Sequence, residues 1–60
     1  MFTKHKIYYT IEVKLDDNSY SFVCSYATFN EAKARVDELM SQADREYRIL
    51  KIEKDIEEVS

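Results

Sequence analysis

Ile7, Tyr9, Ile11, Val13 and Leu15 alternate with Tyr8, Thr10, Glu12 and Lys14, the period-two pattern of a strand with one buried face. The odd-numbered side chains form its core face. Asp16-Asp17-Asn18-Ser19 follows. These short polar side chains hydrogen-bond their own backbone, and Asn18 tolerates the left-handed conformation that a tight reversal often needs. A hairpin is therefore expected. In its second strand, Tyr20 to Tyr26, the residues Tyr20, Phe22, Cys24 and Tyr26 alternate with Ser21, Val23 and Ser25, and hydrophobicity directs the first set toward the core.

Thr28 and Glu31 match the S/T-x-x-E capping box that opens a helix. Beyond it Ala32, Val36, Leu39, Met40 and Ala43 recur at spacings of three and four as one apolar stripe, with Lys33, Asp37, Glu38 and Ser41 on the opposite side. Glu31 and Arg35, four apart with the acid first, suit an ion pair along the helix. No glycine or proline marks the end, so the helix is expected to stop near Asp44, where charge interrupts the stripe.

Tyr47 to Lys54 reads as a third strand, with Leu50 and Ile52 toward the core and Tyr47 and Ile49 on the other side. Returned antiparallel beside the first strand, it gives sheet order 2-1-3 with the most apolar alternating strand in the middle. The expected fold is α+β: ββαβ, a three-stranded antiparallel sheet of order 2-1-3 with one helix packed on one face, a single domain over residues 1–60. Its core face comprises Ile7, Tyr9, Ile11, Val13, Phe22, Cys24, Leu50 and Ile52. The closing stretch, residues 55–60, is expected to fray as an acidic tail unless Ile56 and Val59 find a surface.

A chain of 60 residues buries only about 60% of the surface that its unfolded form exposes, so its stability is marginal. Small domains recover the shortfall with disulfides, a metal or a partner. One cysteine, Cys24, cannot close a bridge within the chain, and one histidine, His5, with no companion cannot build a zinc site. Association remains, and a homodimer is expected. Cys24 itself reads as a small buried apolar residue.

The net charge of −3 argues against binding nucleic acid by phosphate neutralisation. The excess of acid lies toward the C-terminus: Asp37, Glu38, Asp44, Glu46, Glu53, Asp55, Glu57 and Glu58 outnumber the interleaved Arg45, Arg48, Lys51 and Lys54. That acidic set reads as a solvated face or as a surface that imitates DNA phosphates. The first four residues are too short and polar to lead a secretory signal, and no apolar run approaches the ~20 residues of a membrane span. With a lone cysteine, the cytosol is the natural compartment.

Catalytic constellations are absent from the sequence: no Gly-rich loop, no HExxH, no GxSxG, no cysteine pair. Asp16 and Asp17 sit in a turn rather than across a cleft, and His5 near an end reads as solvated. No catalytic, cofactor or metal residues are assigned. The face of the sheet away from the helix is the more informative surface. It is expected to gather Tyr8, Thr10, Val23, Tyr47 and Ile49, too apolar for full solvation and typical of a partner or two-fold interface. Base stacking on Tyr8 and Tyr47, with Lys14 nearby, is the alternative.

The hairpin, the Thr28-Phe29-Asn30-Glu31-Ala32 helix entry and the closing Tyr47-Arg48-Ile49-Leu50-Lys51-Ile52 strand together resemble the very small proteins encoded by bacteriophages and prophages of Gram-positive bacteria. A glycine-free, tyrosine-rich ββαβ unit is also similar to the phage uracil-DNA glycosylase inhibitors, which dimerise and imitate DNA. The resemblance implies a class: a protein that binds a host protein and inhibits or redirects it. No site residue is carried over from it.

Overall fold

The computed structural model describes the backbone of residues 2–58 and the side chains of residues 3–57. Four elements follow in order, β1 (Phe2–Lys14), β2 (Tyr20–Tyr26), α1 (Phe29–Gln42) and β3 (Tyr47–Glu58). The strands form one antiparallel sheet of order β2-β1-β3 with α1 on one face, the α+β arrangement that the sequence pattern implies. Among the described residues no helix is long and apolar enough to cross a membrane.

Local chemistry sets the two reversals. At the β1–β2 turn Leu15 N donates to Ser19 O at 2.8 Å and Asn18 N to Leu15 O at 3.0 Å. Asn18 takes φ 69°, a left-handed position at which Asn is among the least penalised residues after Gly. Asp17 Oδ1 accepts from the Ser19 hydroxyl at 2.6 Å and the Ser19 N–H at 3.0 Å. Those two bonds, the hydroxyl first, hold the Asp17 carboxyl below its ordinary 3.8. Thr28 caps α1 from an extended conformation, its Oγ1 accepting from Glu31 N at 3.3 Å. The Glu31 carboxylate accepts the Thr28 hydroxyl at 2.9 Å, and Arg35 turns instead to Glu38 at 2.8 Å, replacing the expected Glu31–Arg35 pair. The helix stops at Gln42 because Ala43 is extended, its N–H returning to Leu39 O at 3.1 Å.

Register decides which side chains α1 covers. Residues directly opposite each other in antiparallel strands share a face, and Ile11 lies opposite both Cys24 and Ile49, Val13 opposite Tyr47. The Tyr9 ring meets Phe29 of α1 edge-on with centroids 5.8 Å apart, so the odd-numbered side of β1 takes the helix. Ile11 and Ala32, both 0% exposed, lie where sheet and helix close on each other. The helical stripe is narrower than expected, for Met40 is 55% exposed.

Two face assignments are therefore corrected. Tyr47 and Ile49 lie on the helix side, while Leu50 and Ile52, opposite Thr10 and Tyr8, lie on the open side. Apolar residues occur at both parities of β3, so hydrophobicity alone could not choose; pairing with β1 does. In β2 the register shifts between Ile11 and Glu12, so that Cys24 pairs with Ile11 but Phe22 with Glu12, leaving Val23 as the extra residue of a β-bulge. The bulge reverses the faces. Cys24 and Tyr26 keep the helix side, whereas Phe22, expected in the core, turns to the open side and is 63% exposed.

The C-terminal stretch pairs rather than frays as far as Glu58, opposite Phe2; Val59 and Ser60 lie outside the described residues. β2 reaches only Tyr9 of β1, so beyond that point β1 and β3 continue as a two-stranded arm. The molecule measures 46 × 26 × 14 Å with a radius of gyration of 14.4 Å, against about 10 Å for a compact chain of this length.

Candidate functional site

The open face of the sheet is built from alternate residues of all three strands. Thr10, 9% exposed, sits at its centre between Ser25 and Leu50, with Thr10 Oγ1 and Ser25 Oγ 3.2 Å apart in a hydrogen bond. Toward the hairpin end Arg48 binds Glu12, its Nε donating at 2.7 Å and its Nη2 lying at 2.6 Å from the same carboxylate oxygen. The guanidinium also stacks over the Tyr20 ring, 3.6 Å from the centroid, as a planar delocalised cation can. Phe22 stands beside this group with no helix above it.

Toward the arm the same face carries Tyr8 and Ile52, then Lys6 opposite Lys54, then Lys4 opposite Ile56. Lys6 Nζ and Lys54 Nζ lie 5.6 and 5.8 Å from the Tyr8 ring centroid. Beside them a cleft of about 440 Å³ opens between the arm and the end of β2, walled by Lys6, Ile7, Tyr8, Lys54, Ser25, Tyr26 and Ala27.

Charge is segregated by face. On β3, Arg48 and Lys54 share the open side, while Glu53, Asp55 and Glu57 share the helix side with Lys51. On β1 the open side holds Lys4, Lys6, Glu12 and Lys14. A chain of net charge −3 thus presents a basic, aromatic sheet face, because the charges interleaved in the sequence are sorted by the two-residue period of the strand.

The acidic residues are scattered and largely engaged. Asp37 pairs with Lys33 at 3.7 Å, Glu38 with Arg35 at 2.8 Å, Glu46 with Lys14 at 3.3 Å, Glu53 with Lys51 at 3.3 Å and Asp55 with His5 at 2.8 Å. Asp44 lies in the α1–β3 connection and Glu57 on the helix side of the arm; the Glu58 side chain lies outside the described residues.

Of the residues that the sequence pointed to as a partner surface, Tyr8 and Thr10 are together on the open face. Val23 is the bulge residue, and Tyr47 and Ile49 are on the opposite side. Sequence reasoning missed Lys6, Tyr20, Phe22, Arg48 and Lys54. The signal for the cations was present in the alternation of charge sign along β3; the bulge that delivers Tyr20 and Phe22 left none. Elsewhere, Cys24 is a free, half-buried thiol on the helix side. Its hydrogen bond to the neighbouring Tyr26, followed by burial, raises the Tyr26 phenol above its ordinary 10.0. Among the described residues no group of three or more His, Cys, Asp or Glu converges as a metal site would require. Comparison with protein-family models, curated proteins and solved structures finds no match to this chain.

Proposed function

We propose that this protein is a non-enzymatic binding module that holds an anionic partner on the open face of its sheet. The carrying observation is the sorting of charge: Lys4, Lys6, Arg48 and Lys54 share that face with Tyr8, Tyr20 and Phe22, while Glu53, Asp55 and Glu57 turn away from it. Exposed aromatic and cationic side chains around a partly apolar patch are the usual composition of a binding hot spot. The chain's resemblance to small phage-encoded proteins supports the same class, a cytoplasmic module acting on a host component rather than on a small substrate.

Phosphate imitation by the acidic residues is the weaker reading. Glu53, Asp55 and Glu57 alternate along one strand, on a side that also carries Lys51. Glu53 is also paired with Lys51, and Asp55 is held by the His5 ring. The test compares faces. Affinity capture from a bacterial extract is run with the parent, with an open-face variant (Phe22→Ser, Arg48→Glu) and with a helix-face variant (Lys33→Glu, Asp37→Lys). A partner lost only from the open-face variant supports the reading; one lost only from the helix-face variant overturns it.

A further inference from the structure

We infer that the arm end of the open face is a single-stranded nucleic-acid site, in which Tyr8 stacks a base and Lys6 and Lys54 hold the adjoining phosphates. The inference deepens the binding-module reading and rests on it. Its motive is a breach of a local rule. Lys6 and Lys54 are directly opposite each other across β1 and β3, and like charges so placed destabilise a sheet. Five other cations have carboxylate partners within 4.0 Å: Lys14, Lys33, Arg35, Arg48 and Lys51. Lys6 and Lys54 have none among the described residues, and neither do Lys4 on the same side of the arm and Arg45 in the α1–β3 connection. A local cost retained without an internal partner marks a position where an external anion completes the pairing.

The surroundings specify the anion. Both ammonium groups flank one aromatic ring, at 5.6 and 5.8 Å from its centroid, and the adjoining cleft of about 440 Å³ is also lined by Ser25, Tyr26 and Ala27. A ligand that offers a flat π-face beside a negative group fits both features at once. A nucleotide does so in every repeat, whereas an acidic peptide offers the charge without the ring. Duplex DNA keeps its bases stacked inside, so an unpaired strand is required. Farther along the face Phe22 and the Arg48-stacked Tyr20 extend the same combination of ring and cation, giving the strand a path from the arm toward the hairpin.

The experiment is fluorescence anisotropy with a labelled fifteen-nucleotide oligo-dT, across a salt series. The competitors are the same strand in duplex form and a poly-glutamate peptide. Two to three phosphate contacts predict a log–log salt slope of about −1.4 to −2. Lys6→Gln and Lys54→Gln should each reduce that slope by about 0.7. Tyr8→Leu should weaken binding about 5- to 150-fold without changing the slope. Each lysine variant should also melt at a higher temperature than the parent in the absence of oligonucleotide, since it removes the opposed charges; this guards against loss of binding through unfolding. Absence of binding at low salt, equal binding by the lysine variants, or equal competition by duplex or poly-glutamate overturns the inference. If the open-face variant still loses its extract partner in that event, the broader binding reading survives.

Discussion

Ile11 is closed between both neighbouring strands and the helix, with no exposed surface, and truncating it removes packing on three sides. Ile11→Ala should cost about 2–5 kcal/mol, read from urea melts, which is enough to unfold most of a population this marginal. Ile49 shares that covered side, so Ile49→Glu is expected to unfold the chain rather than to disturb a partner surface. Asn18 at φ 69° predicts the opposite sensitivity. Asn18→Ala should cost about 1 kcal/mol through the left-handed penalty, while Asn18→Gly should cost nothing beyond chain entropy. Asp17 gives the turn a pH dependence. Its carboxyl is held below 3.8 by Ser19, so its contribution is present above the ordinary value and is lost as pH falls through the lowered one. Thermal melts between pH 5 and about pH 2 should fall less for Asp17→Asn than for the parent; equal falls would assign the acid sensitivity to other carboxylates.

The elements were legible where one cue acted alone. Alternation in β1, the turn residues and the Thr28–Glu31 cap each admit one reading, and with them came the strand order. Two features were not legible. Ile49 and Leu50 are adjacent and both apolar, so β3 carries a plausible core on either side, and only pairing with Thr10 and Ile11 separates them. In β2, four apolar residues at perfect alternation imply one continuous face, yet the bulge at Val23 divides them two and two. Bulges answer to register between strands, which a single strand's pattern does not contain. Deleting Val23 should therefore leave the chain folded, with Phe22 still opposite Glu12 in a regular ladder, a pairing that cross-strand NOEs would report. Loss of that NOE with Phe22 moving under the helix would contradict the bulge. At the helix, Thr28→Ala should lower stability by about 1 kcal/mol, measured by the same urea titration.

The whole molecule is a plate, 14 Å across its shortest axis, with only Ile11 and Ala32 as fully enclosed apolar side chains among the described residues. Its accessible surface of 4713 Å² exceeds the roughly 4,100 Å² typical of a monomer of this mass. That shortfall in burial motivates association, and the described geometry redirects it. Tyr47 and Ile49 lie half-buried on the helix side, leaving the open face and the outer edges of β2 and β3 as the available surfaces. The melting temperature is accordingly expected to rise with protein concentration from micromolar to hundreds of micromolar; a concentration-independent midpoint would show that the monomer suffices.

The arm has a further consequence in time rather than in space. Its rungs, from Tyr8–Ile52 to Phe2–Glu58, are the pairs farthest apart along the chain, and β2 does not extend beside them. The ladder should close near Val13–Tyr47 and zip outward, opening in the reverse order. Amide hydrogens of β1 should then exchange along a gradient, slowest around Ile11 and faster at each step toward Lys4. A ligand held by Lys6, Tyr8 and Lys54 would bridge the two strands at the exposed end of that zipper, and its binding should be visible as slowed exchange several residues beyond the side chains it touches.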